Sequence, residues 1–582
     1  MVCYFFQHSK MLLHLVFLAL QLHLAFADDS PLEVFQVEAP LRATYEGASC
    51  QQVVVQHEFA ASYGTPYVGT YSPPKDCEFS TTIFNISVTS SGINYDRLGL
   101  LYFGDIEVWR MTTAMPVRTG IFWNYQKDVT VFDTLIRSEQ TVIMGLDNIY
   151  NSVFTGTYNV TITALYFNDG EALTPAEMIL PISTESSCDN KISVISLPDG
   201  DGATSIVFPR NTERAVVSIL ASGNGAEEFW YRNVLTEHIN TFNNTNLSGY
   251  SPFREVQLLI DGELAGASWP FPIVFTGGIS PGLWVPIVGI KTYDLPSFEI
   301  DISPWLGVLC DGTEHKLEIK VVGYDSETTL GTVGSNWWVS GSVFVWIDHH
   351  GSQTIGTPVT SNLPPPDFHS SSQFTTDFGL NASLWSELTA RRSLSHTSSV
   401  TTSTGTRQLT FSQDLSYGNL QNYSASSFNK TLWSQSKGTT SFTSFFNDTL
   451  IENSFAYPIS FTTDLINPED FQTTNSTLVA WLERSAQSST VPILSYLTNQ
   501  ASAQVPGVVT TRQKGSGTYF WNNTYYEFAG AIDPAIGTNG TTEQWYSSKG
   551  FLGEYGRHVQ AVDGYEPVLI LDGEHDHVIQ MT

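Results

Sequence analysis

The chain has 582 residues, of which 41% are apolar and 13% aromatic, and its 57 Asp and Glu outnumber its 26 Lys and Arg. This length predicts about two to four domains, and the apolar content excludes a mostly disordered chain. The formal net charge of −31 repels phosphates and anionic lipids. It therefore excludes nucleic acids and membrane surfaces as partners and leaves the oligomeric state open.

The N-terminal segment 1–27 has the pattern of a cleaved secretory signal. Lys10 precedes the apolar run MLLHLVFLALQLHLAFA, which ends in the A-x-A sequence Ala25-Phe26-Ala27. An uncleaved signal anchor is the alternative interpretation. Later apolar stretches are interrupted by Pro and Gly, so none of them is expected to span a bilayer. The sequence therefore predicts a secreted, extracellular protein.

The cysteines are consistent with that route. Cys3 lies in the signal segment, which leaves Cys50, Cys77, Cys188 and Cys310. An even number in an oxidising compartment favours two disulfides, for which three connectivities exist. We favour Cys50–Cys77 and Cys188–Cys310, because each pair then stays within one predicted domain. A zinc site is the alternative, but there is no C-x-x-C spacing to support it, and we expect no metal.

Sequons of the form N-x-S/T are dense along the chain. A single match is weak, but the number of matches fits a glycosylated secreted protein. The predicted glycosylation sites are Asn85, Asn159, Asn243, Asn246, Asn381, Asn422, Asn429, Asn447, Asn475, Asn522 and Asn539.

The dominant hydrophobic period is two residues. NVTITALYF, HKLEIKVVGY and SVFVWID each alternate apolar and polar positions, and clusters of Gly, Pro, Asn and Asp separate such runs. This pattern is typical of antiparallel β-sandwiches and predicts an all-β protein. The best candidate for helical periodicity is a short, ambiguous piece around Leu478 to Glu483.

Changes in composition divide the chain. A break near PISTESSCDN separates a first sandwich, 28–182, from a second, 183–350. The following stretch is rich in Ser, Thr, Gly and Pro and predicts a linker over 351–373. Residues 374–582 carry many sequons and strand patterns such as RQLTFSQDL. We therefore expect two sandwiches followed by a β-rich, heavily glycosylated C-terminal domain.

Carboxylates in aromatic surroundings are the recurrent chemical pattern. Asp96 lies in NYDRLGLLYF, Glu227 and Glu228 lie in GNGAEEFWYRN, and Glu255 lies in SPFREVQLLIDGELAG. An apolar wall raises the pKa of a carboxylate toward a value useful in acid–base catalysis, and a neighbouring Arg opposes that rise. Two such environments could give two carboxylates different roles. Ordinary carboxylates at sandwich edges are the alternative at this point.

The stretch from Gly223 to Gly323 closely resembles the peptide N-glycanase A family, the peptide-N4-(N-acetyl-β-glucosaminyl)asparagine amidases of plants and fungi. The matching blocks are GNGAEEFWYRN, FREVQLLIDGELAGASWPFPIVFTGGISPGLWVPIVGI and YDLPSFEIDISPWLGVLCDGTEHKLEIKVVG. The N-terminal half adds FAASYGTPYVGTYSPPKDC, FGDIEVWRMTTAMP and GIFWNYQKDVT. Together these blocks cover most of residues 35–350, and the C-terminal third matches less distinctively.

A fainter resemblance extends to the bacterial peptide N-glycosidase F, a double jelly-roll amidase. It implies two jelly-roll-like antiparallel β-sandwiches side by side. NYDRLGLLYF is similar to the W-D-R step of that enzyme, with Tyr95 in place of the Trp, which places Asp96 at the position of its main catalytic Asp. EEFWYR is similar to its A-E-W-C-F-R segment, which places Glu228 at the position of the catalytic Glu and Glu227 at that of the Ala.

The resemblance implies hydrolysis of the amide that joins a glycan to an Asn side chain in N-glycosylated peptides or proteins. The products are a released N-glycan and Asp in the peptide, and no cofactor is required. Asp96 is then expected to activate water, while Glu228 positions water and sugar. Arg97 or Arg232 could stabilise the developing oxyanion.

Further residues are expected around these two carboxylates. The supporting set is Arg97, Glu227, Trp230, Arg232, Arg254 and Glu255. Strand-like alternation would place Glu228 and Trp230 on one face. Trp109, Trp123, Trp269 and Trp284 could stack on sugar rings, although burial in the core is the alternative for at least half of them.

Two other functions stay open from the sequence. A glycoside hydrolase would also use two carboxylates, placed across a sugar bond. A non-catalytic glycan-binding protein is the second alternative, because β-sandwiches carry many functions. The three hypotheses differ in the product that remains on the Asn.

Overall fold

The computed structural model describes residues 31–38, 48–117, 119–168, 175–243, 246–326, 329–424, 429–444, 449–466, 475–491, 507–522, 538–550, 553–562 and 568–574. The predicted signal segment, 1–27, and the predicted glycosylation site Asn447 lie outside these residues. Among the helices of the described ranges, none is both long enough and apolar enough to cross a membrane.

The first β-sandwich contains nine strands. They are β1 Leu32–Glu33, β2 Cys50–Phe59, β3 Tyr67–Tyr71, β4 Thr81–Ser91, β5 Leu98–Phe103, β6 Ile106–Thr112, β7 Ile121–Asp128, β8 Gln140–Leu146 and β9 Thr157–Phe167. One sheet has the order β1-β7-β4-β9-β2, and the other has the order β3-β8-β5-β6. A 3-10 turn, Thr130–Phe132, and the short helix α1, Asp133–Ile136, connect β7 to β8.

Buried aromatic residues join the two sheets of this sandwich. The hydroxyl groups of Tyr71 on β3 and Tyr166 on β9 lie 2.9 Å apart, and the rings of Phe84 on β4 and Phe103 on β5 are 5.7 Å apart. The period-two pattern therefore places large apolar side chains between the sheets, where their burial supplies most of the stabilisation.

The second β-sandwich is built from ten strands. They are β10 Met178–Ile182, β11 Ile195–Leu197, β12 Ala203–Ile206, β13 Thr212–Gly223, β14 Arg254–Ile260, β15 Glu263–Ser268, β16 Phe298–Asp301, β17 His315–Asp325, β18 Thr329–Gly331 and β19 Trp337–Ile347. One sheet has the order β10-β19-β13-β16 with β11 on β19, and the other has the order β12-β17-β14-β15 with β18 on β17. The short helix α2, Leu306–Leu309, precedes β17.

The first strand of the second sandwich lies before the predicted boundary at residue 182. β10 pairs with β19 from Met178, opposite Val345, to Ile182, opposite Gly341. The connection between the sandwiches therefore precedes β10.

The C-terminal region forms one sheet of 12 described strands. They are β20 Ile355–Gly356, β21 Thr360–Asn362, β22 Asp367–Asp377, β23 Leu380–Thr402, β24 Gly405–Ser424, β25 Asn429–Ser444, β26 Thr449–Ile466, β27 Asn475–Val491, β28 Val508–Asn522, β29 Thr538–Gly550, β30 Gly553–Ala561 and β31 Val568–Glu574. Strands β23 to β31 pair in chain order, and β20, β21 and β22 pair with β23.

Two features of this sheet differ from the expectations. The predicted linker, 351–373, contains β20, β21 and the start of β22. The helical periodicity around Leu478 to Glu483 is part of β27, because its residues pair along their length with β26 and β28. The all-β prediction is confirmed.

One face of the C-terminal sheet packs against the second sandwich. Gln413 on β24 exchanges two hydrogen bonds of 2.9 Å with the backbone of Ala267 on β15. The contact near β29 is closer still, because a Cβ on Gly282 would lie 2.5 Å from the carbonyl oxygen of Asn539. Only glycine fits there, so the sheet is held directly on the sandwich backbone.

A buried ion pair fixes the two sandwiches to each other. Arg110 on β6 donates two hydrogen bonds of 2.7 Å to Glu107, and both side chains are fully buried. The same guanidinium donates to Ser222 at 3.1 Å and to the carbonyl of Trp338 at 2.6 Å in the second sandwich. Because a buried charge must be paired and hydrogen-bonded, this cluster defines the relative position of the sandwiches.

Only one of the two predicted disulfides is present among the described cysteines. Cys50 and Cys77 are bonded, with their Cα atoms 6.3 Å apart. The prediction of Cys188–Cys310 is wrong, since both are free thiols. Cys188 is exposed in the 3-10 turn Ser187–Asp189, whereas Cys310 is buried at the end of α2. One sulfur faces solvent and the other faces the core, so they cannot meet.

Candidate active site

Asp96 lies in the loop between β4 and β5, two residues before β5 begins. The residue is partly exposed, and its carboxylate accepts a hydrogen bond of 3.1 Å from the backbone N–H of Gly277 in the second sandwich. Burial raises the pKa of Asp96 to about 6, against the opposing effects of its own N–H, the Gly277 N–H and the Arg97 charge. A carboxylate with this pKa ionises close to neutral pH and can act as a base.

The loop that carries Asp96 is fixed by its polar neighbours. The Asn94 side-chain oxygen accepts from the backbone N–H of Tyr95 at 2.9 Å and from Arg97 at 2.6 Å. Arg97 also donates to Asn148 at 3.1 Å. Tyr158 donates to the carbonyl of Tyr95 at 2.8 Å. Arg97 is therefore committed to holding this loop, and its guanidinium is directed at asparagine side chains.

Glu228 follows the 3-10 turn Gly225–Glu227 and precedes a second turn, Trp230–Arg232. Burial raises its pKa to about 8, the negative charge of Asp96 contributes to the rise, and Arg232 opposes it. The charge of Asp96 thus acts on Glu228 although the two residues belong to different sandwiches. Two interacting carboxylates with separated pKa values are typical of an acid–base pair.

A loop with two adjacent glycines, Gly277 and Gly278, contacts both Asp96 and the residue next to Glu228. A Cβ on Gly277 would lie 3.0 Å from Oδ1 of Asp96, and a Cβ on Gly278 would lie 2.8 Å from the ring of Phe229, the neighbour of Glu228. The indole N–H of the buried Trp284 donates to the carbonyl of Gly278 at 2.7 Å and so holds this loop in place. Asp96 and Glu228 therefore line one site at the junction of the sandwiches.

Glu227 and Glu228 have different environments. Glu227 is fully buried, and its two oxygens accept from Arg254 at 2.5 and 2.7 Å. Trp337 and the backbone N–H of Gly334 add hydrogen bonds of 2.8 and 3.1 Å. Every acceptor of this carboxylate is used, so Glu227 and Arg254 are structural, whereas Glu228 is partly exposed to the site.

The expected strand face of Glu228 and Trp230 is wrong. Residues 225–232 form two 3-10 turns, and Trp230 lies in the core against Trp337 and Tyr417. The aromatic neighbour that Glu228 keeps beside the site is Phe229, which is partly exposed. The turn replaces the strand because Gly225 has a φ of +57°, which ends the extended conformation of β13.

The remaining supporting residues also separate into two groups. Arg232 lies over the ring of Phe229 at 5.4 Å and over that of Phe461, on β26, at 5.6 Å. Its charge therefore lies at the edge of the site. Glu255 accepts hydrogen bonds from Trp269 at 3.0 Å and from Arg392 at 2.8 Å, and it links the second sandwich to the C-terminal sheet.

The expectation that tryptophans stack on sugar rings is wrong for all four candidates. Trp109, Trp123, Trp269 and Trp284 are buried, with at most 2% of their surface exposed. The ring of Trp123 stacks on Tyr293 at 5.5 Å, and the indole N–H of Trp109 donates to the carbonyl of the same residue at 2.8 Å. Their surfaces are used in packing and are not available to a glycan.

Sequence reasoning missed the residues that position Asp96. Thr113 donates to Tyr158 at 3.1 Å, and Thr276 donates to the carbonyl of Thr113 at 2.6 Å. The Gly277-Gly278 pair in FPIVFTGGIS was the available signal, because adjacent glycines after an apolar run indicate a close backbone approach. Among the described residues there is no group of three or more His, Cys, Asp or Glu placed to hold a metal ion.

Comparisons with known proteins agree on one family. The model of a family described as Peptide N-acetyl-beta-D-glucosaminyl asparaginase amidase A matches residues 39–363, and the model of the PNGase_A C-terminal domain matches residues 385–459. The chain is 33% identical over 349 residues to the peptide-N4-(N-acetyl-beta-glucosaminyl)asparagine amidase A of Prunus dulcis. That alignment covers 56% of this chain and 59% of the relative, so the chain matches about three-fifths of the relative's length.

Solved structures of two further proteins are similar. PNGase F, a glycosylasparaginase from Flavobacterium meningosepticum, has a TM-score of 0.33 and 15% identity, over 51% of this chain and 96% of that chain. PNGF-II has a TM-score of 0.35 and 14% identity, over 52% of this chain and 65% of that chain. Because the first family model spans more than half of the sequence, the chain belongs to the Peptide N-acetyl-beta-D-glucosaminyl asparaginase amidase A family.

Proposed function

We propose that this protein is a secreted amidase of N-glycosylated peptides and proteins. It hydrolyses the glycosylated Asn side-chain amide, releases the N-glycan and leaves Asp in the peptide. The observation that carries the proposal is the pairing of Asp96 and Glu228 at one site, with pKa values of about 6 and 8, in a member of this family.

The separated pKa values assign a role to each carboxylate. Between about pH 6 and 8, Asp96 is ionised and Glu228 is neutral. Asp96 takes a proton from water, and the water oxygen bonds to the side-chain carbonyl carbon of the glycosylated Asn. The C–N bond breaks, its electron pair stays on the sugar-bound nitrogen, and Glu228 gives that nitrogen a proton. The proton on Asp96 returns to Glu228 through solvent.

Arg232 is the cation best placed to assist this chemistry. It acts electrostatically on Glu228, and its guanidinium is held between the rings of Phe229 and Phe461. A cation in a partly buried site stabilises a developing oxyanion by a few kcal/mol. Arg97 is less suited to this role, because Asn94 and Asn148 accept its hydrogen bonds.

Secretion is supported by three independent features. The segment 1–27 has the pattern of a cleaved signal. The bond between Cys50 and Cys77 is typical of an oxidising compartment. Several sequon asparagines are exposed and could carry glycans: Asn159, Asn243, Asn246, Asn422 and Asn539.

Incubation of one N-glycopeptide in water labelled with heavy oxygen tests the function. Mass spectrometry should find a free intact glycan and a peptide in which Asp carries one heavy oxygen atom. A peptide that keeps a single GlcNAc on Asn would show a glycoside hydrolase instead. An unchanged glycopeptide that stays bound to the protein would show a glycan-binding protein.

A further inference from the structure

The turn that follows Glu228 is bound to the C-terminal sheet through three consecutive backbone carbonyls. Asn419 donates to the carbonyl of Tyr231 at 2.9 Å, and Gln421 donates to that of Asn233 at 2.8 Å. The hydroxyl of Tyr423 lies 3.0 Å from the carbonyl oxygen of Arg232. Each carbonyl from position 231 to position 233 therefore has a partner on the same strand, β24.

The three donors are also hydrogen-bonded to one another. They occupy alternate positions of β24 and so share one face of the sheet. Gln421 donates to the side-chain oxygen of Asn419 at 2.9 Å, and the Tyr423 hydroxyl lies 2.9 Å from the side-chain oxygen of Gln421. At the other end, Asn419 donates to the hydroxyl of Tyr417 at 3.3 Å. We call Asn419, Gln421 and Tyr423 the β24 ladder.

The ladder side chains are buried, so their polar groups are tolerated only where each one has a hydrogen-bond partner. The three ladder side chains are between 0% and 3% exposed. Elsewhere on the same face, β24 buries apolar residues such as Phe411 and Leu415, and also Gln413, which binds the backbone of Ala267. Buried amides and hydroxyls cost free energy wherever a partner is missing, so apolar residues would give a simpler interface. The polar ladder is confined to the part of the face that meets the turn after Glu228.

A displacement of this turn would move the site. The backbone N–H of Arg232 donates to the carbonyl of Phe229 at 2.8 Å, and that of Asn233 donates to Trp230 at 3.0 Å. The segment from Phe229 to Asn233 is thus a single hydrogen-bonded turn attached directly to Glu228. The same sheet also supplies Phe461, which packs on the Arg232 guanidinium from β26.

We propose that the C-terminal sheet, through the β24 ladder, positions Glu228 and Arg232 against Asp96. The ladder residues are positioning residues, and the inference rests on the proposed amidase function. The sheet is then a part of the active site and does more than cover or decorate the sandwiches. Since general acids lose effect steeply when misplaced by about 1 Å, loosening the ladder should reduce the rate and leave substrate affinity nearly unchanged.

The charged groups around Glu228 and Arg232 come from three elements. Asp96 of the first sandwich contributes to its raised pKa, and Arg232 of its own turn opposes the rise. Lys430 on β25 is buried, and the charge of Arg232 lies within electrostatic reach of it. The Lys430 amine lies 3.4 Å from the carbonyl oxygen of Arg232. A shift of the turn changes the distances among these groups, so the pH profile reports it.

Gln421→Ala and Gln413→Ala form a matched pair of variants for the test. Both glutamines are buried on the same face of β24, and both bind backbone groups of the second sandwich. Gln413 binds Ala267 on β15, away from the turn that carries Glu228. The milder variant Tyr423→Phe removes one ladder hydroxyl and keeps the ring. The two readouts are steady-state glycopeptide hydrolysis across pH and amide hydrogen exchange of residues 228–234.

For Gln421→Ala, we expect kcat to fall about tenfold or more, KM to stay within about twofold, and the alkaline limb of the pH profile to move. Tyr423→Phe should show the same changes to a smaller degree. Exchange within 228–234 should become faster in both ladder variants, and Gln413→Ala should keep the wild-type kcat, profile and exchange.

Equal kcat, equal pH profile and equal exchange in Gln421→Ala and Gln413→Ala would overturn the positioning role. Wild-type protein that releases no glycan would instead remove the proposed function. In that case the exchange comparison still decides whether β24 holds the turn, because exchange does not depend on activity.

Discussion

Asp96 and Glu228 belong to different β-sandwiches, yet the negative charge of Asp96 helps to raise the pKa of Glu228 to about 8. The Gly277-Gly278 loop contacts both sides of the site. The Gly277 N–H donates to the Asp96 carboxylate, and Gly278 lies against the ring of Phe229, the neighbour of Glu228. Burial raises both pKa values, and the charge of Asp96 raises the pKa of Glu228 further, which separates the two values. The site therefore depends on the relative position of the two sandwiches.

Asp96→Asn should reduce glycan release by about a thousandfold, because the variant has no base to accept the water proton. The amide oxygen of Asn can still accept the Gly277 N–H, so the loop should keep its conformation. Release of glycan from one glycopeptide, followed by mass spectrometry, measures the effect. A variant with near wild-type release would show that Asp96 is not the base.

The same substitution should stabilise the fold near neutral pH. The pKa of Asp96 is raised from 3.8 to about 6 on folding, so the folded state favours the neutral form. As pH rises from about 4 to about 6, the unfolded chain loses its proton first, and wild-type stability falls. Asn does not ionise and escapes this loss.

We therefore expect Asp96→Asn to raise the free energy of unfolding by about 1–3 kcal/mol near pH 7 and to change it little near pH 4. Denaturant melts at the two pH values check this. An equal effect at both values would mean that Asp96 ionises as an ordinary exposed carboxylate.

Glu227→Gln and Glu228→Gln should have opposite consequences. Glu227→Gln leaves the buried guanidinium of Arg254 without its charged partner and should cost about 3–5 kcal/mol of stability. Glu228→Gln replaces a neutral acid with a neutral amide near pH 7, so stability should be kept or increased while glycan release falls to a low residual level. Thermal melts measure the stability of both variants, and glycopeptide assays measure their activity. A Glu227→Gln variant that is stable but inactive would show that Glu227, and not Glu228, acts in the reaction.

The free thiols should react in a defined order. Alkylation of the native protein should modify Cys188, which is exposed, and should reach Cys310 only after unfolding. Peptide mapping identifies the modified residues. Detection of a peptide linked through Cys188 and Cys310 would contradict the finding that both are free thiols.

Part of this architecture follows from local sequence pattern. The period of two residues predicts the strands, because alternation along a strand is a local property. The resemblance of NYDRLGLLYF and EEFWYR to amidase segments places Asp96 and Glu228 without any knowledge of the fold. The pair Cys50–Cys77 was also predicted, since both residues lie within one sandwich.

The errors come from properties that depend on packing. In EEFWYRN, the three consecutive aromatic residues favour a strand, but the φ of +57° at Gly225 precedes two 3-10 turns. The burial of Trp109 and Trp284 depends on which face of each element meets another layer. In sequence, the polar residues of the β24 ladder resemble those of a solvent-exposed strand. Their burial could not be predicted, because their partners are backbone carbonyls more than 180 positions away.

The pH dependence of kcat/KM for glycopeptide hydrolysis tests the pairing of Asp96 and Glu228 most directly. Activity should rise as Asp96 ionises near pH 6 and fall as Glu228 ionises near pH 8. In Glu228→Gln, the residual activity should keep the acidic limb and lose the alkaline one. A flat profile between about pH 5 and pH 9, or an alkaline limb that persists in Glu228→Gln, would contradict the division of roles between the two carboxylates.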